Sequence, residues 1–199
     1  MTPTPPRTLM KTPKKSPSSL MLPILALIMV LNALSYGMII PLTYPLAEKF
    51  GLGPTGLGWL IASFSLAQFL ATPVIGRLSD RFGRKPLLLL SVLGSAISMV
   101  LLALAQAAPM LFLARIFDGI TGGNNSVAQA AIADVTPEKD RAKAFGMLGA
   151  AFGFGFLFGP AIGGFLGGIS FALPFWFAAG LAGLAVILGL IFFPETLRP

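Results

Sequence analysis

Arg115 and Asp118, in the stretch ARIFDGITGGNN, are two charges set into an otherwise apolar run. An unpaired charge in apolar surroundings carries a heavy desolvation penalty. The segment is therefore a loop, or the two charges serve one another and a polar path. On a helix, Arg115, Asp118, Gly122, Asn125 and Gln129 recur at i, i+3, i+7, i+10 and i+14 and share one face. Within a membrane, such a stripe lines a water-filled cavity or a helix interface. The chemistry open to the pair has two forms. It is a local ion pair that neutralises itself, or Asp118 is a titratable carboxylate whose proton affinity follows Arg115 and solvation. A second stripe, Ser65, Gln68 and Thr72, is expected to face the same cavity, with Tyr36, Phe64 and Trp59 as candidate contacts for a lipophilic ligand.

Other chemistries are removed by composition. Cysteine is absent, which excludes disulfides, thiolate catalysis and Cys-ligated metals. Histidine is absent too, and with it the commonest general base and metal ligand. No metal and no cofactor is expected. The net charge of +7 suggests nucleic acid, but the basic residues cluster beside apolar spans, as membrane topology requires.

The elements that must hold these residues are transmembrane helices. Only 11% of residues are charged and mean hydropathy is +0.85, too apolar for a soluble interior of this length to hide. A spanning helix needs about 20 mostly apolar residues. That length picks out six spans: Leu20–Leu46, Thr55–Ile75, Leu87–Ala107, Met110–Ala133, Ala144–Leu166 and Leu173–Phe193. The intervening AEKFGLGP, GRLSDRFGRKP, QAAP, DVTPEKDRAK and GGIS are too short for folded extramembrane domains. The expected fold is an all-α membrane bundle of six helices over residues 20–199. Residues 1–19, rich in Pro, Ser and Thr, read as a disordered tail. Every lysine and arginine except Lys49 and Arg115 falls on one side of these spans. The positive-inside rule makes that side, with both termini, cytoplasmic.

Four stretches carry a resemblance. In GRLSDRFGRKPLL, Gly76, Leu78, Asp80, Arg81, Gly83, Arg84, Lys85 and Leu88 match G-x-L-x-D-R-x-G-R-K-x-x-L, the loop between helices 2 and 3 of the major facilitator superfamily. In GFLFGPAIGG, Gly155, Gly159, Pro160, Gly163 and Gly164 match the helix 5 motif of its proton-coupled antiporters. Glycines four apart make a groove that admits another helix, and Pro160 removes a backbone donor and bends the helix. LFLARIFDG resembles the helix 4 motif through Leu111, Arg115 and Gly119, while LNALSYGMIIPLTYP resembles helix 1 through Gly37, Pro41 and Pro45. Asn32 stands where many drug antiporters carry an acid, which leaves Asp118 as the one acid deep within a span.

The resemblance is nearest to tetracycline-efflux-type drug:proton antiporters, and it implies the following. The chain corresponds to the N-terminal six of twelve helices, two inverted three-helix repeats. Its function is proton-coupled efflux of small lipophilic or drug-like molecules, without enzymatic chemistry, from a bacterial inner membrane. Gly76, Asp80, Arg81, Gly83, Arg84 and Lys85 form a conformational latch. Arg115, Asp118, Asn125, Gln129, Asn32 and Gln68 line the proton and substrate pathway. A C-terminal half or a second copy completes the transporter. A sugar or metabolite symporter or uniporter, or a non-transporting assembly subunit, are the alternatives.

Overall fold

Long apolar runs with few charges satisfy their backbone polar groups in lipid only as helices, and the computed structural model of the chain is built from seven. It describes residues 21–197, so the tail at residues 1–19 lies outside the described residues. The helices are α1 (Met21–Lys49), α2 (Pro54–Phe82), α3 (Arg84–Ala103), α4 (Ala108–Thr121), α5 (Asn124–Val135), α6 (Glu138–Ile169) and α7 (Leu173–Phe192), with no strand among the described residues. All but α4 and α5 are long and apolar enough to cross a membrane. At 1.5 Å per residue, α4 and α5 are roughly 21 and 18 Å long, each short of a hydrocarbon core of about 30 Å. Together they make the remaining crossing of a six-span all-α bundle.

That broken crossing corrects the reading of one continuous fourth span. Gly122 and Gly123 leave the helix between α4 and α5. A break exposes carbonyls that lipid cannot satisfy. Here the Gln68 side-chain amide of α2 donates to the Gly122 carbonyl at 3.1 Å. Other boundaries shift outward. α2 runs on to Phe82 and absorbs most of the expected hairpin, and α6 starts at Glu138 with Glu138 and Asp140 in its first turn, where acids complement the helix dipole.

Glycine decides the tightest packing. Gly155, Gly159 and Gly163 of α6 form a seam against Ala33, Gly37 and Met38 of α1. A Cβ on Gly159 would lie 2.8 Å from the Gly37 backbone, and one on Gly37 would lie 2.9 Å from the Gly155 carbonyl oxygen. α6 continues unbroken through Pro160. Gly164 faces open space, so the motif's last glycine takes no part in this seam.

Apolar packing falls into two layers. One gathers Leu25, Ile28, Leu88, Val92, Ile132 and Phe193. The other gathers Met38, Leu42, Leu60, Met99, Leu111 and Phe175. Between them along α1 and α3 come buried Asn32, Ser35 and Ser95, with Asp118 of α4 at the same level. A cavity opens in this polar layer.

Candidate functional site

A cavity of about 270 Å³ is lined by Asn32, Ser35 and Tyr36 from α1, Phe64 and Gln68 from α2, and Ser95 and Met99 from α3. Asp118, the break at Gly122, Asn124 and Asn125 from the broken crossing, and Phe152 from α6, close it. Asp118 is buried, and its two carboxylate oxygens are spoken for: the Ser95 hydroxyl donates to Oδ1 at 3.0 Å and Arg115 Nη1 donates to Oδ2 at 3.0 Å. Burial is tolerable because the charge is paired and hydrogen-bonded. Arg115 also lies on the Phe64 ring, 4.0 Å from its centroid, a favourable place for a guanidinium.

The structure divides the expected stripe. Asn32, Gln68, Asp118 and Asn125 meet around this cavity, whereas Arg115 turns to a separate cavity behind Tyr36 and Phe64. Gln129 lies on α5, beyond the break, in an adjoining cavity of about 250 Å³ that Asn125 and Phe152 also line, and its amide donates to Asn125 Oδ1 at 3.4 Å. The i+7 and i+10 positions, Gly122 and Asn125, stay with Asp118 around the cavity despite the break, and Gln129 joins them only through Asn125. Ser65 and Thr72 do not line the central cavity; Thr72 donates to the Gln68 carbonyl of its own helix. Trp59 is exposed and is absent from the cavity lining. Ser95 is a site residue that the periodicity of its own helix did not single out.

A second polar cluster sits where α2, α3, α5 and the segment after α7 meet. The turn between α2 and α3 is Gly83 alone, at φ +109°, a backbone that favours glycine. Asp80 is therefore helical and pairs one turn on with Arg84 at 2.5 Å. Buried Arg84 also donates from Nε to Asp134 of α5 at 2.8 Å and from Nη1 to Ser79 at 2.7 Å. Glu195 accepts backbone N–H bonds from Arg84 and Lys85 and from its neighbours Thr196 and Leu197. Burial pushes the Glu195 carboxyl up, but those four donors outweigh it and hold the group below the ordinary carboxylate value. Lys85 Nζ donates to the Leu190 carbonyl at the end of α7. Arg81 and Gly76 make none of these contacts; Arg81 lies beside the Phe82 ring, and Gly76 has open space before it. Asp134 and Glu195 were missed in the sequence, where each is a lone acid at the end of an apolar run.

The family model for the Major Facilitator Superfamily matches residues 25–199. The chain belongs to this superfamily. Among its curated relatives, the tetracycline resistance protein class H of Pasteurella multocida is 44% identical over 176 residues, covering 87% of this chain and 44% of that protein. Multidrug resistance protein 1 of Bacillus subtilis is 38% identical, covering 83% of this chain and 43% of that protein. The chain thus spans under half the length of both relatives. Among solved structures of the superfamily, the human organic anion transporter MFSD10 (TETRAN) superposes with a TM-score of 0.76 at 27% identity, over 89% of this chain and 48% of that one. The superfamily is one of membrane transporters, which are not enzymes.

Proposed function

We propose that the chain is the N-terminal six-helix half of a proton-coupled exporter of small lipophilic or drug-like molecules. The observation that carries this reading is Asp118, a buried carboxylate lining a polar cavity between two apolar layers. The names of the relatives, tetracycline and multidrug resistance proteins, support a drug-like cargo. Asp118 is the proton carrier of this half. In one conformation water reaches it and it exchanges its proton; in the other it is occluded and Arg115 sets its charge. Asn32, Gln68 and Asn125 supply neutral hydrogen bonds to cargo, and Gln129 lies on the path beyond them.

The Arg84–Asp80–Asp134–Glu195 cluster ties four elements at one end of the bundle and acts as the latch between transport states, with Arg81 and Lys85 beside it. The α1–α6 seam, with Gly164 open to a further helix, is the antiporter element. Residues 20–199 form the half-transporter domain and residues 1–19 a cytoplasmic tail. The charge bias supports a topology with both termini on the cytoplasmic side of a bacterial inner membrane. Alternating access needs two halves about a central site, so a C-terminal half or a second copy completes the machine.

The test is pH-gradient-driven uptake into proteoliposomes containing this chain with a C-terminal half, beside gradient-free exchange. Asp118→Asn should abolish the driven flux and retain downhill exchange. Full driven flux in Asp118→Asn would move the proton site elsewhere. Flux lacking in every pairing would favour an assembly role for the chain.

A further inference from the structure

Away from the polar cavity, α2, α3 and α4 leave an open groove of about 710 Å³. α2 contributes a stripe that runs at helical spacing from Ser63 to Leu78, α3 contributes Leu87 and Leu90, and α4 contributes Ile116 and Ile120. At 1.5 Å per residue the stripe is about 22 Å long, more than one leaflet of a hydrocarbon core about 30 Å thick. Leu87 lies in the first turn of α3, so the groove ends at the α2–α3 turn. No charged residue lines it, and the Ser63 and Thr121 hydroxyls donate to carbonyls of their own helices. The trough is made for hydrocarbon.

Charge begins where the groove stops. Arg81 follows Leu78 by three residues and Val74 by seven, so it continues the same stripe one turn beyond the lining. Arg77 stands one turn back, at the edge of the stripe. Both arginines are exposed, and neither has an ion pair among the described residues. Asp80, the acid between them, is turned to Arg84. A second helix is a poor match for this groove. Helices associate in lipid where small residues admit a close backbone, whereas Leu66, Leu70, Val74, Leu90 and Ile120 project exposed from the walls. The open glycines that suit a helix, Gly146, Gly149 and Gly153, lie on α6 instead.

We propose that the groove binds an anionic phospholipid, with one acyl chain along α2 and the phosphate held by Arg81 and Arg77. The branched side chains give the chain its apolar contacts, and the two guanidiniums select the charge of the head group. The site does not depend on the exporter reading, because lipid binding is measured without transport.

The experiment is native mass spectrometry of the purified full chain with phosphatidylglycerol or phosphatidylethanolamine of identical acyl chains. A basic residue near an anionic head group is worth about fivefold in affinity, so phosphatidylglycerol should be retained at least fivefold better. Arg81→Gln should remove most of that preference and Arg81→Lys should keep it. Leu70→Trp, at an exposed wall position, should weaken both lipids by filling the trough. Lys143→Gln, at the same end of the bundle on α6, should change neither. Equal retention of the two lipids, or unchanged retention in Leu70→Trp, would overturn the proposal. So would a loss in Lys143→Gln as large as in Arg81→Gln, which would mean diffuse surface charge. Phosphatidylglycerol with a diazirine on its acyl chain, in membranes that also hold a C-terminal half, should label residues 63–78. Crosslinks from position 70 to that half or to a second copy, with no lipid label, would give the groove to protein and end the proposal.

Discussion

Four glycines of α6 lie within one helix and should respond to the same substitution with opposite signs. At Gly159 an added Cβ meets Gly37 backbone at 2.8 Å, and at Gly155 it meets the Leu34 nitrogen at 2.6 Å. Real Cβ atoms do not approach so closely, and backbone cannot swing aside as a side-chain tip can. Gly159→Ala or Gly155→Ala must therefore push α1 and α6 apart along the seam, and overpacking of this kind costs about 1–3 kcal/mol. At Gly153 and Gly164 nothing lies within 4 Å of the added methyl. There the only effect is helix propensity, which favours alanine by about 0.5–1 kcal/mol. Thermal unfolding of the purified chain in one detergent reads the difference. With about 2–4 °C per kcal/mol for a chain of this size, the seam variants should melt about 2–12 °C lower. Gly153→Ala and Gly164→Ala should melt at or above the parent. A parent-like melting temperature for Gly159→Ala would refute the close approach, and an equal loss at Gly164 would mean that the motif, not the packing, sets the requirement.

Arg84→Ala leaves Asp80, Asp134 and Ser79 without their donor and should destabilise by about 1.5–3 kcal/mol, the range for hydrogen bonds to charged groups. Asp80→Asn should cost under about 1 kcal/mol, because its side chain is 64% exposed and the pair is screened; thermal melts at low and high salt separate the two. Glu195 has a depressed carboxyl, so its bonds stabilise fully above the ordinary value of 4.5 and are lost as pH falls through the lower folded value. Hydrogen exchange at the Arg84, Lys85, Thr196 and Leu197 amides should accelerate over that acid window, and Glu195→Gln should remove the pH dependence. Gln68→Leu strips the donor from the Gly122 carbonyl and should destabilise by about 1–3 kcal/mol; a parent-like melt would mean that the break is satisfied by other means.

Composition and the spacing of apolar runs were enough, by themselves, to specify a six-span helical membrane bundle, because lipid leaves a chain few other ways to satisfy its backbone. The motif residues Gly76 to Leu88, Leu111 to Gly119 and Gly155 to Gly164 were enough to indicate the superfamily. The glycine spacing of α6 announced a seam, though not which helix fills it or that Gly164 stands outside it. Tertiary structure alone decided three things. The fourth crossing breaks at Gly122–Gly123, since two glycines tolerate a helix and a break alike until Gln68 of α2 arrives to satisfy the freed carbonyl. Arg115 and Asp118, one turn apart on α4, line different cavities, which no periodicity along one helix can foresee. Asp134 and Glu195 join Arg84 and Lys85 from 50 and 110 residues away. A single acid at a helix end is an ordinary surface residue until packing of α5 and the segment after α7 brings it to the turn at Gly83. Local sequence dictates which segments enter the membrane, because that choice depends on each segment's own transfer from water. Which polar groups meet there depends on the partners that packing brings together.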